Sequence, residues 1–144
     1  MYDEITKPHH YGWHPSGVEA KEVTDDLPYW LGDAITCIWR RNHKGQPIDD
    51  RLKAIERLNE ATPGRLERVW FSAPIHTALS ADKIGPKPDY LLHAACQFIQ
   101  TVRVNRNYRT LQKIIDELKD ELRAELDELT ANETTRTPTI YEEQ

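Results

Sequence analysis

Between Asp25 and Thr130 the apolar residues recur every three or four positions, and prolines cut that pattern into lengths. Pro28, Pro47, Pro63 and Pro74 each stand where one periodic run ends or the next begins. Proline holds φ near the helical value and lacks an N–H, so it is tolerated in the first helical turn and breaks the interior. No segment alternates apolar and polar residues over a useful length, as a half-buried strand would. The expected fold class is all-α: a small helical bundle built on an N-terminal αα-hairpin, with a long C-terminal helix.

The hairpin centres on Gly32–Gly45. Leu27, Leu31, Ala34, Ile35 and Ile38 share one helical face, and Asp26 is a candidate N-cap. Arg40, Arg41, His43 and Lys44 crowd the last turn, where outward carbonyls favour positive charge. Gly45 is the expected stop, and Pro47 prevents continuation. The next helix is expected to be capped by Asp49 or Asp50 and to bury Leu52, Ile55, Leu58 and Ala61. Val18–Thr24 predicts a short helix before the hairpin. Thr62-Pro63 starts another after it, carrying Leu66, Val69, Trp70 and Phe71, and Ile75–Asp82 makes one or two further turns.

Ile84-Gly-Pro-Lys-Pro-Asp89 is the strongest turn signal. It divides the chain into an N-terminal helical domain at 1–83, a C-terminal long-helix segment at 84–131 and a tail at 132–144. The tail is polar and acidic and is expected to be disordered. Leu91, Leu92, Ala95, Phe98, Ile99 and Val102 mark a largely buried helix that Asn105–Asn107 interrupts. The last helix, about Tyr108 to Thr130, carries a stripe of Tyr108, Leu111, Ile115, Leu118, Leu122 and Leu129, flawed by Glu125. The helix is long for so small a domain. The outer half of the stripe is expected to pair with the same helix of a second subunit, giving a homo-oligomer; the alternative is cover by Leu92 and Phe98 within the chain.

The 144 residues carry a net charge of -5, which argues against a general nucleic-acid coat. No apolar run is long enough to span a bilayer, and the first residues lack the form of a signal peptide. Cys37 and Cys96 suit reduced core thiols, so a cytoplasmic location is expected. There is no Gly-x-x-x-x-Gly-Lys-Ser/Thr and no Gly-x-Ser-x-Gly. His9, His10 and His14 lack a fourth ligand at zinc spacing, and no metal site is assigned. The acidic residues of the last helix are interleaved with Lys113, Lys119 and Arg123, which reads as a solvated ion-pair face.

One cluster remains that would do chemistry. Arg40, His43 and Lys44 share a helix face with Trp39 flanking it, and arginine binds phosphate bidentately. Arg41 points elsewhere and is expected to pair with Asp49 or Asp50. Pro8–Trp13 is expected to pack on this helix, where two compatible readings stand: His10 and Tyr11 hydrogen-bond Glu19 or Asp33, or they stand at the mouth of a pocket with Trp39 and Arg40. The candidate substrate-binding residues are therefore His10, Tyr11, Trp39, Arg40, His43 and Lys44. The ligand expected is a nucleotide or another phosphate-bearing small molecule. No cofactor is assigned, and magnesium enters only if the protein is an enzyme.

The order Pro8-His9-His10-Tyr11, Gly17-Val18-Glu19, Gly32-Asp33-Ala34-Ile35, Ile38-Trp39-Arg40, Lys44-Gly45, Asp49-Asp50, Leu52-Lys53-Ala54 resembles the phage-encoded SaV-like family, over roughly residues 7–60. Asp33 stands where that family has Asn, and Thr36-Cys37 where it has Lys-Tyr. The resemblance implies a bacteriophage accessory protein in the host cytoplasm. One branch of the family is associated with nucleoside monophosphate kinase activity without a P-loop. Two expectations stand side by side. One is nucleotide binding, with or without kinase turnover. The other is a non-catalytic phage binding protein that sequesters a nucleotide signal or inhibits a host protein.

Overall fold

Pro28, Pro47, Pro63 and Pro74 each sit at a helix boundary. The computed structural model describes the backbone of residues 9–72 and 74–142, and side chains over 10–69 and 74–132. Among the described residues there are eight helices and no strand: α1 (His9–Gly12), α2 (Ala20–Thr24), α3 (Tyr29–Arg40), α4 (Pro47–Leu58), α5 (Pro63–Ser72), α6 (Ile75–Asp82), α7 (Tyr90–Val104) and α8 (Tyr108–Glu142). Pro28 is the N-cap of α3, so Asp26 lies outside the helix it was expected to cap. Gln46 is the N-cap of α4 with Pro47 at its first position, which leaves Asp49 and Asp50 in the first turn. Thr62 does cap α5, its Oγ1 accepting from the Arg65 N–H at 3.2 Å.

α3 is the middle of the bundle. Its expected face is buried, and so are Trp30, Cys37 and Trp39 on its flanks. It packs against α4 as the antiparallel hairpin, and also against α1, α2 and α7. Gly32 allows the close approach of α2: a Cβ there would lie 3.0 Å from the Thr24 carbonyl. Gly45 takes φ +84° in the hairpin link, a conformation that glycine adopts without steric cost.

The inward face of α4 is the expected one only in part: Leu58 is buried and Ile55 and Ala61 pack against the core. Leu52 is exposed and Ile55 only half-buried, while Asp50, Arg51, Ala54 and Leu58 point inward. The face is rotated because Asp50 and Arg51 find ionic partners inside, described below, and these outweigh the burial of one leucine.

α8 lies on α4, α5 and α7. Leu111, Ile115, Leu118 and Leu122 are buried within the chain, alongside Leu92 and Phe98 in one continuous core. The stripe over these four residues is thus covered internally, while Tyr108 is exposed and Leu129 half-buried. That core runs from Val18 to Leu122 and crosses the Ile84–Asp89 turn. The last helix also continues to Glu142, through most of the stretch expected to be a disordered tail. Extending a nucleated helix fixes one residue per new hydrogen bond, which is cheaper than starting one. No helix among the described residues is long and apolar enough to cross a membrane.

Candidate functional site

Arg41 is the first residue past the end of α3, and its guanidinium is saturated. Nη1 and Nη2 donate to Asp89 Oδ2 and Oδ1 at 2.6 and 2.8 Å. Nε and Nη2 donate to Glu125 Oε1 and Oε2 at 2.8 and 3.2 Å. Nη1 also reaches the Ile38 carbonyl at 2.8 Å. All five donors of the planar fork are used. Arg51 of α4 donates from Nε to the same Glu125 oxygen at 2.8 Å and from Nη2 to Asn42 Oδ1 at 2.7 Å. Asp89 in turn caps α7, accepting from the Leu92 N–H at 3.1 Å. One clasp of two arginines and two carboxylates therefore ties α3, α4, α7 and α8 together. Burial works against the Arg41 charge, but its bonds to Asp89 and Glu125 outweigh that and raise its pKa above the ordinary value. Burial would push the Asp89 carboxyl up; the Arg41 bonds and the Leu92 amide hold it below its ordinary 3.8.

The clasp forms the floor of a groove of about 830 Å³ between the α3–α4 link, α7 and α8. Trp13, Asn42 and His43 line one wall, Pro88, Tyr90, Leu91 and Ala94 another, and Ile114, Glu117, Leu118 and Glu121 a third. The Trp13 and His43 rings stack at 4.1 Å with 20° between their planes. Tyr90 is 71% exposed. Glu117 and Glu121 stand one turn apart on α8, exposed and without an ion pair among the described residues. Of the clasp, Arg41, Asp89 and Glu125 line the groove, and Arg51, which does not, supplies the second balancing cation through Glu125. The surplus charge of the groove is therefore negative, and it lies next to aromatic faces.

The residues offered to a phosphate are distributed differently. Trp39 is fully buried and has no face open to a base. Arg40 donates from Nε to Asp50 Oδ1 at 3.0 Å and from Nη1 to the Tyr11 hydroxyl at 3.2 Å, and its side chain is only 11% exposed. Arg41 pairs with Asp89 and Glu125 rather than Asp49 or Asp50, because Asp50 is taken by Arg40. His10 rests against the Tyr11 ring, 4.1 Å between centroids. His43 lies on Trp13, and Lys44 is exposed. The structure brings Tyr11 and Arg40 together and puts His43 at the acidic groove. Tyr11 and Trp13 do pack on α3, as expected, with the Trp13 indole N–H donating to the Trp39 carbonyl at 2.6 Å. Pro8 lies outside the described residues. Among the described residues no three His, Cys, Asp or Glu side chains gather as a metal site requires.

Sequence reasoning missed Asp89 and Glu125, and took Glu117 and Glu121 as part of a solvated face. That reading does describe Lys119 with Asp116 at 3.3 Å and Arg123 with Asp120 at 3.2 Å. The available signal was Glu125 itself, a charge inside an apolar stripe. Such a residue marks an inward face that meets a cation. The two cysteines are buried and free, and burial pushes their thiols up to about 11 for Cys37 and about 12 for Cys96. Neither supplies a thiolate near neutrality.

His14 supports the Trp13 wall. Its Nδ1 accepts from the Ser16 N–H at 3.1 Å, so the neutral ring carries its proton on Nε2, which is buried without a partner. Burial lowers its pKa from 6.5, with Asp89 opposing. The folded state then binds fewer protons than the unfolded state, so stability is complete above pH 6.5 and falls as the pH drops below it. The expected result is a lower melting temperature at pH 5 than at pH 7.5, with a smaller difference in His14→Gln. An equal pH difference in the two proteins would exclude His14 as its source.

The fold and site together define an all-helical protein with an acidic, aromatic-walled groove over a buried ionic clasp. No protein-family model, no curated protein and no solved structure matches the chain.

Proposed function

We propose that this protein is a non-catalytic binding module whose groove receives a basic side chain, arginine above all, from a partner polypeptide. The observation that carries this is the pair of unpaired carboxylates, Glu117 and Glu121, lining the same groove as the Trp13–His43 stack and Tyr90. Guanidinium suits both components, since it bonds carboxylates through its planar fork and lies flat on aromatic rings. Leu91, Ala94, Ile114 and Leu118 supply an apolar base for the aliphatic part of such a segment. A phosphate would meet like charge at Glu117 and Glu121, and Arg41 has no donor left for it. In a phage accessory protein, as the resemblance implies, the partner would be a host protein.

The test is titration with a short arginine-containing peptide and with its citrulline counterpart, which keeps the shape and removes the charge. The arginine peptide is expected to bind, to perturb the Trp13 indole and to weaken as salt rises. Glu117→Gln with Glu121→Gln is expected to cost about 1–2 kcal/mol of affinity, the scale for two solvent-accessible charged contacts. Equal affinity for the two peptides would refute a charge-reading groove.

A further inference from the structure

Charge is spread unevenly along the last two helices. From Tyr90 to Ile115 there is no Asp or Glu, while Arg103, Arg106, Arg109 and Lys113 fall together around the link from α7 to α8. The acids resume at Asp116 and run on to Glu128, so α8 passes from a basic start into an acidic middle. The four cations of the link are exposed, and Arg103 and Arg109 make no ion pair among the described residues. Beside them Val104 is 87% exposed and Tyr108 40%. The link is held by its own side chains: Asn105 Oδ1 accepts from the Asn107 N–H at 2.8 Å, and Asn107 Oδ1 from the Arg109 N–H at 3.0 Å. Its arginines thus stand on a preorganised turn, which lowers the ordering cost of any contact they make. The first turn of α8 has no acid to offset the positive end of the helix dipole. α6 runs beside α7 in the opposite direction, the Gln100 amide meeting the Ala78 carbonyl and the His93 ring the Ile84 carbonyl. Its one acid, Asp82, therefore lies at the far end.

We infer that this α7–α8 turn is a segment that docks in the acidic groove of a second copy of the chain. The inference rests on the preference for arginine proposed above for that groove, and it names the partner. The turn presents what the groove takes: guanidinia for Glu117 and Glu121, and Val104 and Tyr108 for the apolar base of Leu91, Ala94, Ile114 and Leu118. It cannot reach the groove of its own chain. Arg109 precedes Glu117 and Glu121 on one continuous helix, by about 12 and 18 Å at the helical rise of about 1.5 Å per residue. Docking is therefore between copies. Turn and groove are different patches, so the contact is heterologous and leaves each copy a second patch for another neighbour. It does not use the leucines of α8 that the core buries.

Sedimentation velocity of the full chain, over a concentration series at low and at high salt, is the test. The average mass is expected to rise with concentration at low salt and to return to that of the monomer as salt screens the contacts. Arg103→Gln with Arg109→Gln neutralises the turn, and Glu117→Gln with Glu121→Gln neutralises the groove. All four positions are exposed, so folding is not at stake. Either pair is expected to weaken self-association about tenfold, the scale of two solvent-accessible charged contacts. Mixed in equal amounts, the two variants should form a dimer and nothing larger, because one supplies the intact turn and the other the intact groove. A monomer at every concentration, an assembly that either pair leaves unchanged, or a mixture that forms no dimer overturns the inference. A monomeric chain that still binds the arginine peptide in preference to citrulline would keep the reading of the groove, so the two failures are told apart.

Discussion

Arg41→Ala is expected to lower the stability of the folded protein by about 3–5 kcal/mol, the range for breaking a buried ion pair from one side. The loss does not come mainly from attraction forgone. Asp89, 9% exposed at its side chain, would stay folded in without a cation. Glu125 would keep Arg51, its other partner at 2.8 Å, and so suffer less. Asp89→Asn in the Arg41→Ala background should therefore recover part of the loss, because the stranded charge is gone. Chemical denaturation of the two variants checks this. A cost for Arg41→Ala under about 1 kcal/mol would mean that the clasp is no more than a set of solvated pairs. The clasp also sets an acid limit. Asp89 has a lowered carboxyl pKa, so its contribution is complete above the unfolded value of 3.8 and is lost as the pH falls through the folded value. This window lies below the one governed by His14.

Trp39→Ala is expected to cost about 3–5 kcal/mol as well, by a different route: a large buried ring removed from a core that cannot fully collapse. Trp39 has no exposed surface, and its ring does not line the acidic groove. At a temperature where the variant is still folded, arginine-peptide affinity should stay within about twofold of the parent. The outcome that would sink this assignment is the reverse one, a small stability change with binding abolished. The indole would then be a ligand contact, as the helix spacing alone suggested.

The boundary between what the residues foretold and what they did not follows the range of the forces. Pro47, Thr62-Pro63 and the Asn105–Asn107 break act within a turn or two, so each marks a helix end that the chain adopts. The apolar faces of α3 and α7 were legible for the same reason, being periodic and local. α4 was misjudged because Leu52 and Ile55 suggest one inward face and Asp50 with Arg51 another. Only knowledge that Arg40 and Glu125 wait across the interface decides between them. The same holds for the site. A run of cations at a helix end suggests an anion, but Arg41 is consumed by Asp89 and Glu125, acids far along the sequence, and Arg40 takes Asp50, one of the acids expected for Arg41. The expected nucleotide grip at that helix end thus has no open arginine, while an acidic groove forms beside it from α7 and α8.

The sequence distances within the clasp also bear on the order in which the molecule can be made. Arg41 meets a partner 48 positions later at Asp89 and another 84 positions later at Glu125. A chain emerging from the ribosome N-terminus first presents the α3–α4 hairpin long before either acid exists outside the tunnel. During that interval two arginines destined for the interior can be solvated but not buried, and the face that α8 will cover stands bare. Closing such long loops is entropically expensive and comes late. The face of the hairpin that α7 and α8 cover is therefore left bare until those helices have been made. A product that stops before Glu125 is left with a cationic, apolar surface of the kind that chaperones engage and that aggregates when they do not.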